Sequence, residues 1–111
     1  MAGGLNTPDL ASSVSNSGGV GSFGFSYSKP EAIDKDLEQT KRLTKGPINC
    51  NFFVFQPVSL PSKAIQSEAI EALKGLPISE GVEINFPAEP FYPDIDDQIE
   101  VIWEHRPEIL T

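Results

Sequence analysis

Ile48-Asn-Cys-Asn-Phe-Phe-Val-Phe55 is the most apolar run in the chain, with Gly46-Pro47 before it and Gln56-Pro57 after it. A short run rich in Phe, Ile and Val between turn-forming residues predicts a fully buried strand. Asn51 stands in its middle. An unpaired buried amide costs about 1–3 kcal/mol, so this side chain needs either a neighbouring backbone group or a polar ligand at the strand's carboxyl end. Buried polar groups are usually satisfied by protein neighbours, and for Asn51 taken alone that reading is preferred. Cys50 beside it reads as a small core residue.

Upstream, Ser28-Lys-Pro-Glu31 matches a capping box and opens a helix. Ile33, Leu37, Thr40 and Thr44 form one stripe of that helix, while Asp34, Lys35, Glu38 and Arg42 face outward. Lys45-Gly46 ends it. Further upstream, Gly19-Val-Gly-Ser-Phe-Gly-Phe25 predicts a short, glycine-rich strand. The Gly18-Gly19-x-Gly21-Ser22 stretch leads into that strand and does not open a helix, so it reads as turn geometry, not a phosphate cradle. Thr7-Pro8-Asp9 has the N-cap, first-turn proline and first-turn acid of a helix start, Leu10 and Val14 supply an apolar pair, and Gly18 is the stop. Met1-Ala-Gly-Gly-Leu-Asn6 reads as a loop.

Downstream, Ile65, Ala69, Ile70 and Leu73 predict a helix ending at Gly75, inside a proline-rich excursion longer than ordinary βα connections. Asp94 to Arg106 predicts an amphipathic helix with Ile95, Ile99 and Ile102 inward and Trp103 outward. Asp94, Asp96 and Asp97 belong in its first turn, and with no His or Cys beside them they do not suggest a metal. His105 in the last turn reads as a surface or capping residue. Glu108-Ile-Leu-Thr111 reads as a third strand. Helix and strand alternating at this spacing predict a parallel β/α sheet. So few strands leave unpaired edges, which points to part of a larger β/α protein.

Composition narrows the partners. The 111 residues carry eight basic and sixteen acidic side chains, a net charge of −8, which lacks the basic footprint of nucleic-acid binding. No apolar stretch approaches the roughly 18–20 residues of a membrane span, and there is no basic-then-apolar leader pattern. Cys50 is the single cysteine, so no internal disulfide or zinc cluster can form. A cytoplasmic location is the expectation.

Met1-Ala-Gly-Gly, Thr7-Pro-Asp-Leu-Ala, Val14-Ser-Asn-Ser-Gly-Gly-Val-Gly21 and Leu43-Thr-Lys-Gly-Pro-Ile-Asn-Cys-Asn-Phe-Phe-Val54 occur in order. Together they resemble the nitronate monooxygenase family, formerly called 2-nitropropane dioxygenases. The family pattern is close to M-A-G-G, T-P-E-L-A, V-S-N-A-G-G-L-G and L-T-x-x-P-F-x-V-N-L-F-V. The likeness is specific over residues 1–55 and looser beyond, where Asp97-Gln98-Ile99 and Arg106-Pro-Glu-Ile-Leu-Thr111 look like the family's next helix and strand. Ser17 replaces the usual Ala, Asn49-Cys50 replaces a small or apolar pair, and Phe52 stands where Leu is common.

The resemblance implies an α/β fold, a partial (β/α)8 TIM-type barrel of the FMN-binding kind. Only the first two to three β/α units would be present, residues 1–111 forming the amino-terminal part of one barrel domain interrupted at both ends. Such barrels run to roughly 250 residues and place their sites at the carboxyl ends of the strands. By resemblance, Asn51 contacts FMN, which reverses the preference stated above, and Met1, Ala2 and Gly3 lie against the flavin ring. The family's catalytic histidine and the loops that grip the FMN phosphate fall beyond this chain, and His105 is not that histidine. The implied activity is oxidative denitrification of alkyl nitronates with molecular oxygen, with the isolated chain inactive. The alternatives are an FMN-dependent enoyl-acyl-carrier-protein reductase and a non-catalytic truncated product acting through its sheet edges.

Overall fold

The computed structural model describes residues 5–56 and 58–111. Four helices, α1 (Pro8–Asn16), α2 (Pro30–Leu43), α3 (Lys63–Lys74) and α4 (Ile95–His105), alternate with strands β1 (Gly21–Gly24), β2 (Ile48–Asn51) and β3 (Ile109–Leu110). The strands form one parallel sheet in the order β1-β2-β3. The chain divides into two compact units, one made of the segments up to Val54 and from Tyr92 to Thr111, the other of Phe55–Phe91. The second unit holds α3 and a short 3-10 turn at Pro77–Ser79. The proline-rich excursion is thus a unit in its own right. Its helix is capped by Ser62 and ends at Gly75, as the sequence predicts, and it buries none of its residues.

In the first unit one face of the sheet is covered by helices. Phe23, Ile48 and Cys50 point into a core completed by Ala11, Ile33, Leu37 and Ile102, with Phe25 stacked on Phe23 at 4.9 Å between ring centroids. The stripe predicted for α2 is the buried one: Ile33, Leu37 and Thr40 lie inside, followed by Thr44 just past the helix end. Asp34 faces outward as expected, yet it meets His105 of α4 at 2.7 Å.

Four expectations need correction. The run from Ile48 to Phe55 is not one buried strand. β2 ends at Asn51 and burial alternates, with Ile48 and Cys50 inside and Asn49 and Asn51 half-exposed. Successive strand residues point to opposite faces, and only one face has helices over it. Phe53 and Val54 lie exposed beyond the strand, where Phe53 N–H donates to the buried Ser26 hydroxyl at 3.0 Å.

The capping box at Ser28 does not form either. Pro30 takes the first helical position, so Lys29 is the N-cap and makes no side-chain bond. Ser28 sits one residue too early and instead accepts from Gln98 through its carbonyl. In α1, Thr7 caps and Pro8 starts the helix as predicted, and Gly18 leaves it with φ 88°. Leu10 and Val14, however, are exposed, and the helix packs through Ala11, Ser12 and Ser15. Gly21 explains the choice. A Cβ there would collide with the Ala11 carbonyl oxygen and meet Ile48 Cδ1 at 2.8 Å, so this contact admits only small surfaces on both sides.

The fourth correction concerns α4. Ile102 is buried and Trp103 exposed, but the other fully buried residue is Gln98. Its Nε2 donates to the Phe25 and Ser28 carbonyls at 3.1 and 2.7 Å, pinning the connection between β1 and α2. Ile95 and Ile99 are only half-buried. The acids sit as expected, Asp94 capping the helix by accepting from Asp96 N–H.

Candidate cofactor site at the carboxyl end of the sheet

The uncovered sheet face carries small and polar side chains. Register places Ser22 beside Asn49 and Gly24 beside Asn51, and Asn49 beside Ile109. One step further along β3, Thr111 lies level with Asn51, its N–H donating to the Cys50 carbonyl and its carbonyl accepting from Phe52 N–H. The strand pleat alone therefore brings Ser22, Gly24, Asn49, Asn51 and Thr111 onto one face.

These side chains join into a hydrogen-bonded row. Asn49 Nδ2 donates to Ser22 Oγ at 3.0 Å and to Thr111 Oγ1 at 3.2 Å. Thr111 Oγ1 donates in turn to Asn49 Oδ1 at 3.3 Å. Asn51 Nδ2 donates to the carbonyl and the hydroxyl of Thr111, both at 3.1 Å. Asn51, at the last position of β2, thus finds its partners on the next strand. A protein-neighbour solution exists for its N–H groups, while its Oδ1 makes no hydrogen bond among the described residues.

A second acceptor lies on the far side of β1. Asn6 Nδ2 donates to the Ser22 carbonyl at 2.9 Å, on the side of β1 away from β2. Its Oδ1 is buried without a partner among the described residues. Met1, Ala2 and Gly3, expected beside the same site, lie outside the described residues.

The remaining candidates sit elsewhere. Cys50 points into the core and is fully buried. Burial, with the Glu108 carboxylate adding to it, pushes the thiol up from 9.0 to about 12, so it is neither nucleophile nor ligand at neutral pH. His105 ends α4, before β3, at the amino end of the sheet, where it pairs with Asp34. Around it lies a groove of about 240 Å³ lined by Leu37, Lys41, Lys45, Ile48, Arg106 and Pro107, among others. Its cations belong to the last turns of α2 and α4, where they offset the negative helix ends. No group of three or more metal-ligating side chains occurs among the described residues.

A flavin has a flat ring whose imide N–H is a donor and whose edges are acceptors. The open face fits such a ring in kind: its side chains are small or polar, and Asn51 Oδ1 has no hydrogen bond among the described residues and can accept from a donor on the ring. Sequence reasoning singled out Asn51; the structure adds Asn49 as a bridging amide and Thr111 to the same row. Parity along β2 could have shown that Asn49 and Asn51 share a face. Thr111 needed the register.

Comparison with known proteins places the chain in a family. A probable nitronate monooxygenase of Bacillus subtilis (strain 168) is 38% identical over 63 residues, 57% of this chain and 18% of the relative. One from Staphylococcus aureus (strain JH9) is 34% identical over 64 residues, 58% of this chain and again 18% of the relative. The matched segment is thus under a fifth of the length of these relatives. Among solved structures, a nitroalkane oxidase from Streptomyces ansochromogenes superposes with a TM-score of 0.74 at 23% identity, over 99% of this chain and 30% of that one. That likeness establishes the fold as part of a TIM-type β/α barrel, the sheet being a segment of its wall. The nitronate monooxygenase family profile matches residues 1–111, and the chain belongs to the nitronate monooxygenase family.

Proposed function

We propose that these 111 residues are the amino-terminal part of a single FMN-binding barrel domain, and that the whole domain oxidatively denitrifies alkyl nitronates with molecular oxygen. The observation that carries the reading is the position of Asn51. Its amide stands at the carboxyl end of β2, on the sheet face that the helices leave uncovered, with its Oδ1 making no hydrogen bond among the described residues. TIM-type barrels keep their chemistry at that end.

In this reading Asn51 holds the FMN, together with Met1, Ala2 and Gly3. When bound, the flavin carries the electrons, and the protein supplies orientation and electrostatics. Nitronate and oxygen are the small-molecule reactants. In this reading the catalytic histidine lies beyond the segment, and His105 pairs with Asp34 at the opposite end of the sheet. The isolated chain is therefore expected not to turn over. The acidic surface, with net charge −8, gives no basis for a nucleic-acid partner. No helix among the described residues is long and apolar enough to cross a membrane.

The test joins the chain to the remaining β/α units of the Bacillus subtilis relative. Bound flavin and nitronate-dependent oxygen uptake are expected from the hybrid. NAD(P)H consumption with an enoyl thioester and no oxygen uptake would transfer the assignment to an enoyl-acyl-carrier-protein reductase. A hybrid that folds yet stays colourless and takes up no FMN would end the reading.

A further inference from the structure

The row Ser22–Asn49–Thr111–Asn51 can be counted donor by donor. Both hydrogens of Asn51 Nδ2 go to Thr111, one to its carbonyl and one to its hydroxyl. Both hydrogens of Asn49 Nδ2 go to Ser22 Oγ and Thr111 Oγ1. The Thr111 hydroxyl accepts from both amides and donates its proton to Asn49 Oδ1. A hydroxyl has one proton and two lone pairs, so that of Thr111 is saturated. Along this row the amide donors are all engaged.

The orientation of Asn51 is also fixed. Flipping its amide would set Oδ1 against the Thr111 carbonyl oxygen, which can only accept. That oxygen already receives Phe52 N–H at 3.0 Å as a rung of the β2–β3 ladder, so it cannot turn away without breaking the sheet. Asn49 then holds the Thr111 hydroxyl from its other side. We infer that Thr111, with Asn49 behind it, is the positioning residue that locks Asn51 with its carbonyl oxygen presented to the cofactor. The group read there is accordingly a hydrogen-bond donor, for a flavin its imide N–H. The identity of the ligand rests on the flavin reading above, whereas the locked amide does not.

Two measurements separate these parts. In the isotopically labelled chain, the side-chain amide protons of Asn51 should resonate away from their positions in the denatured chain. Thr111→Val, which removes the hydroxyl at constant shape, should shift them, and Thr111→Ser should restore them. Main-chain resonances of the core confirm that each variant is folded. Asn51 protons that keep their denatured-chain positions and ignore Thr111→Val would overturn the positioning role. The second measurement compares FMN with FMN methylated at the imide nitrogen. About tenfold weaker binding of the methylated flavin is expected from an acceptor left facing a methyl group; equal binding would overturn the donor assignment. If neither flavin binds, the ligand assignment falls with the flavin reading, and the amide shifts still decide the positioning.

Discussion

Asn51 shows how one residue can answer two needs. Its Nδ2 is satisfied across the sheet, and its oxygen, with no hydrogen bond among the described residues, is free for the proposed cofactor. Asn51→Ala should leave the fold intact, because the side chain is half-exposed, and should weaken FMN retention by about tenfold. Unchanged flavin content would remove Asn51 from the site. Cys50 makes the opposite case. Its thiol is raised from 9.0 to about 12 by burial, which favours the protonated form in the folded chain. The unfolded thiol loses its proton near its ordinary value, so the unfolded state binds fewer protons above that pH. The Cys50 contribution is therefore complete below pH 9 and is lost progressively between 9.0 and about 12. Denaturant melts of wild type and Cys50→Ala should converge across that window, and parallel pH dependence would contradict it. Thiol reagents should label Cys50 only on unfolding. The core role of this residue was readable from its apolar neighbours; the face it shares with Ile48, and not with Asn49 and Asn51, was readable only from strand parity.

Among elements, the helices were legible where apolar periodicity and packing coincide, as in α2, whose Ile33, Leu37, Thr40 stripe is the buried one. They were misread where packing is set by closeness. α1 hides Ala11, Ser12 and Ser15 and exposes Leu10 and Val14, because Gly21 brings β1 too near for larger side chains. Gly21→Ala should therefore cost about 2 kcal/mol through overpacking against the Ala11 carbonyl and Ile48. Denaturation midpoints would read this, and an unchanged midpoint would mean that α1 can shift freely. α4 hides an amide for a different reason. Gln98 supplements the backbone bonds of the β1–α2 connection, holding the Ser28 carbonyl and sharing the Phe25 carbonyl with Ser28 N–H. Gln98→Met keeps the volume and strands the Ser28 carbonyl, while Phe25 keeps its bond from Ser28 N–H, so a loss of about 1–3 kcal/mol is expected. A loss below about 0.5 kcal/mol would mean that water replaces the side chain without penalty. Nothing in the α4 periodicity distinguishes such a glutamine from an exposed one. The failed capping box has the same character: Pro30 fixes where α2 starts, and the serine that matches the motif lies one residue outside it.

At the scale of the molecule, alternation of helices and strands was enough to predict a parallel sheet, and the family motifs were enough to place it in a barrel. The two-faced character of the sheet was not foreseen, since an apolar run of this length reads as buried throughout. Here the helix layer covers Phe23, Ile48 and Cys50, and the opposite face is left to Ser22, Asn49, Asn51 and Thr111. That asymmetry separates a carboxyl end offering hydrogen-bond acceptors from an amino end where Lys41, Lys45 and Arg106 ring a groove. The account stands on the first of these being the flavin site. Titrating FMN into the hybrid, with these 111 residues isotopically labelled, and following their amide resonances tests this most directly. Shifts concentrated at Asn6, Ser22, Asn49, Asn51 and Thr111 are expected; shifts confined to Lys41, Lys45 and Arg106, or none at saturating FMN, would contradict it.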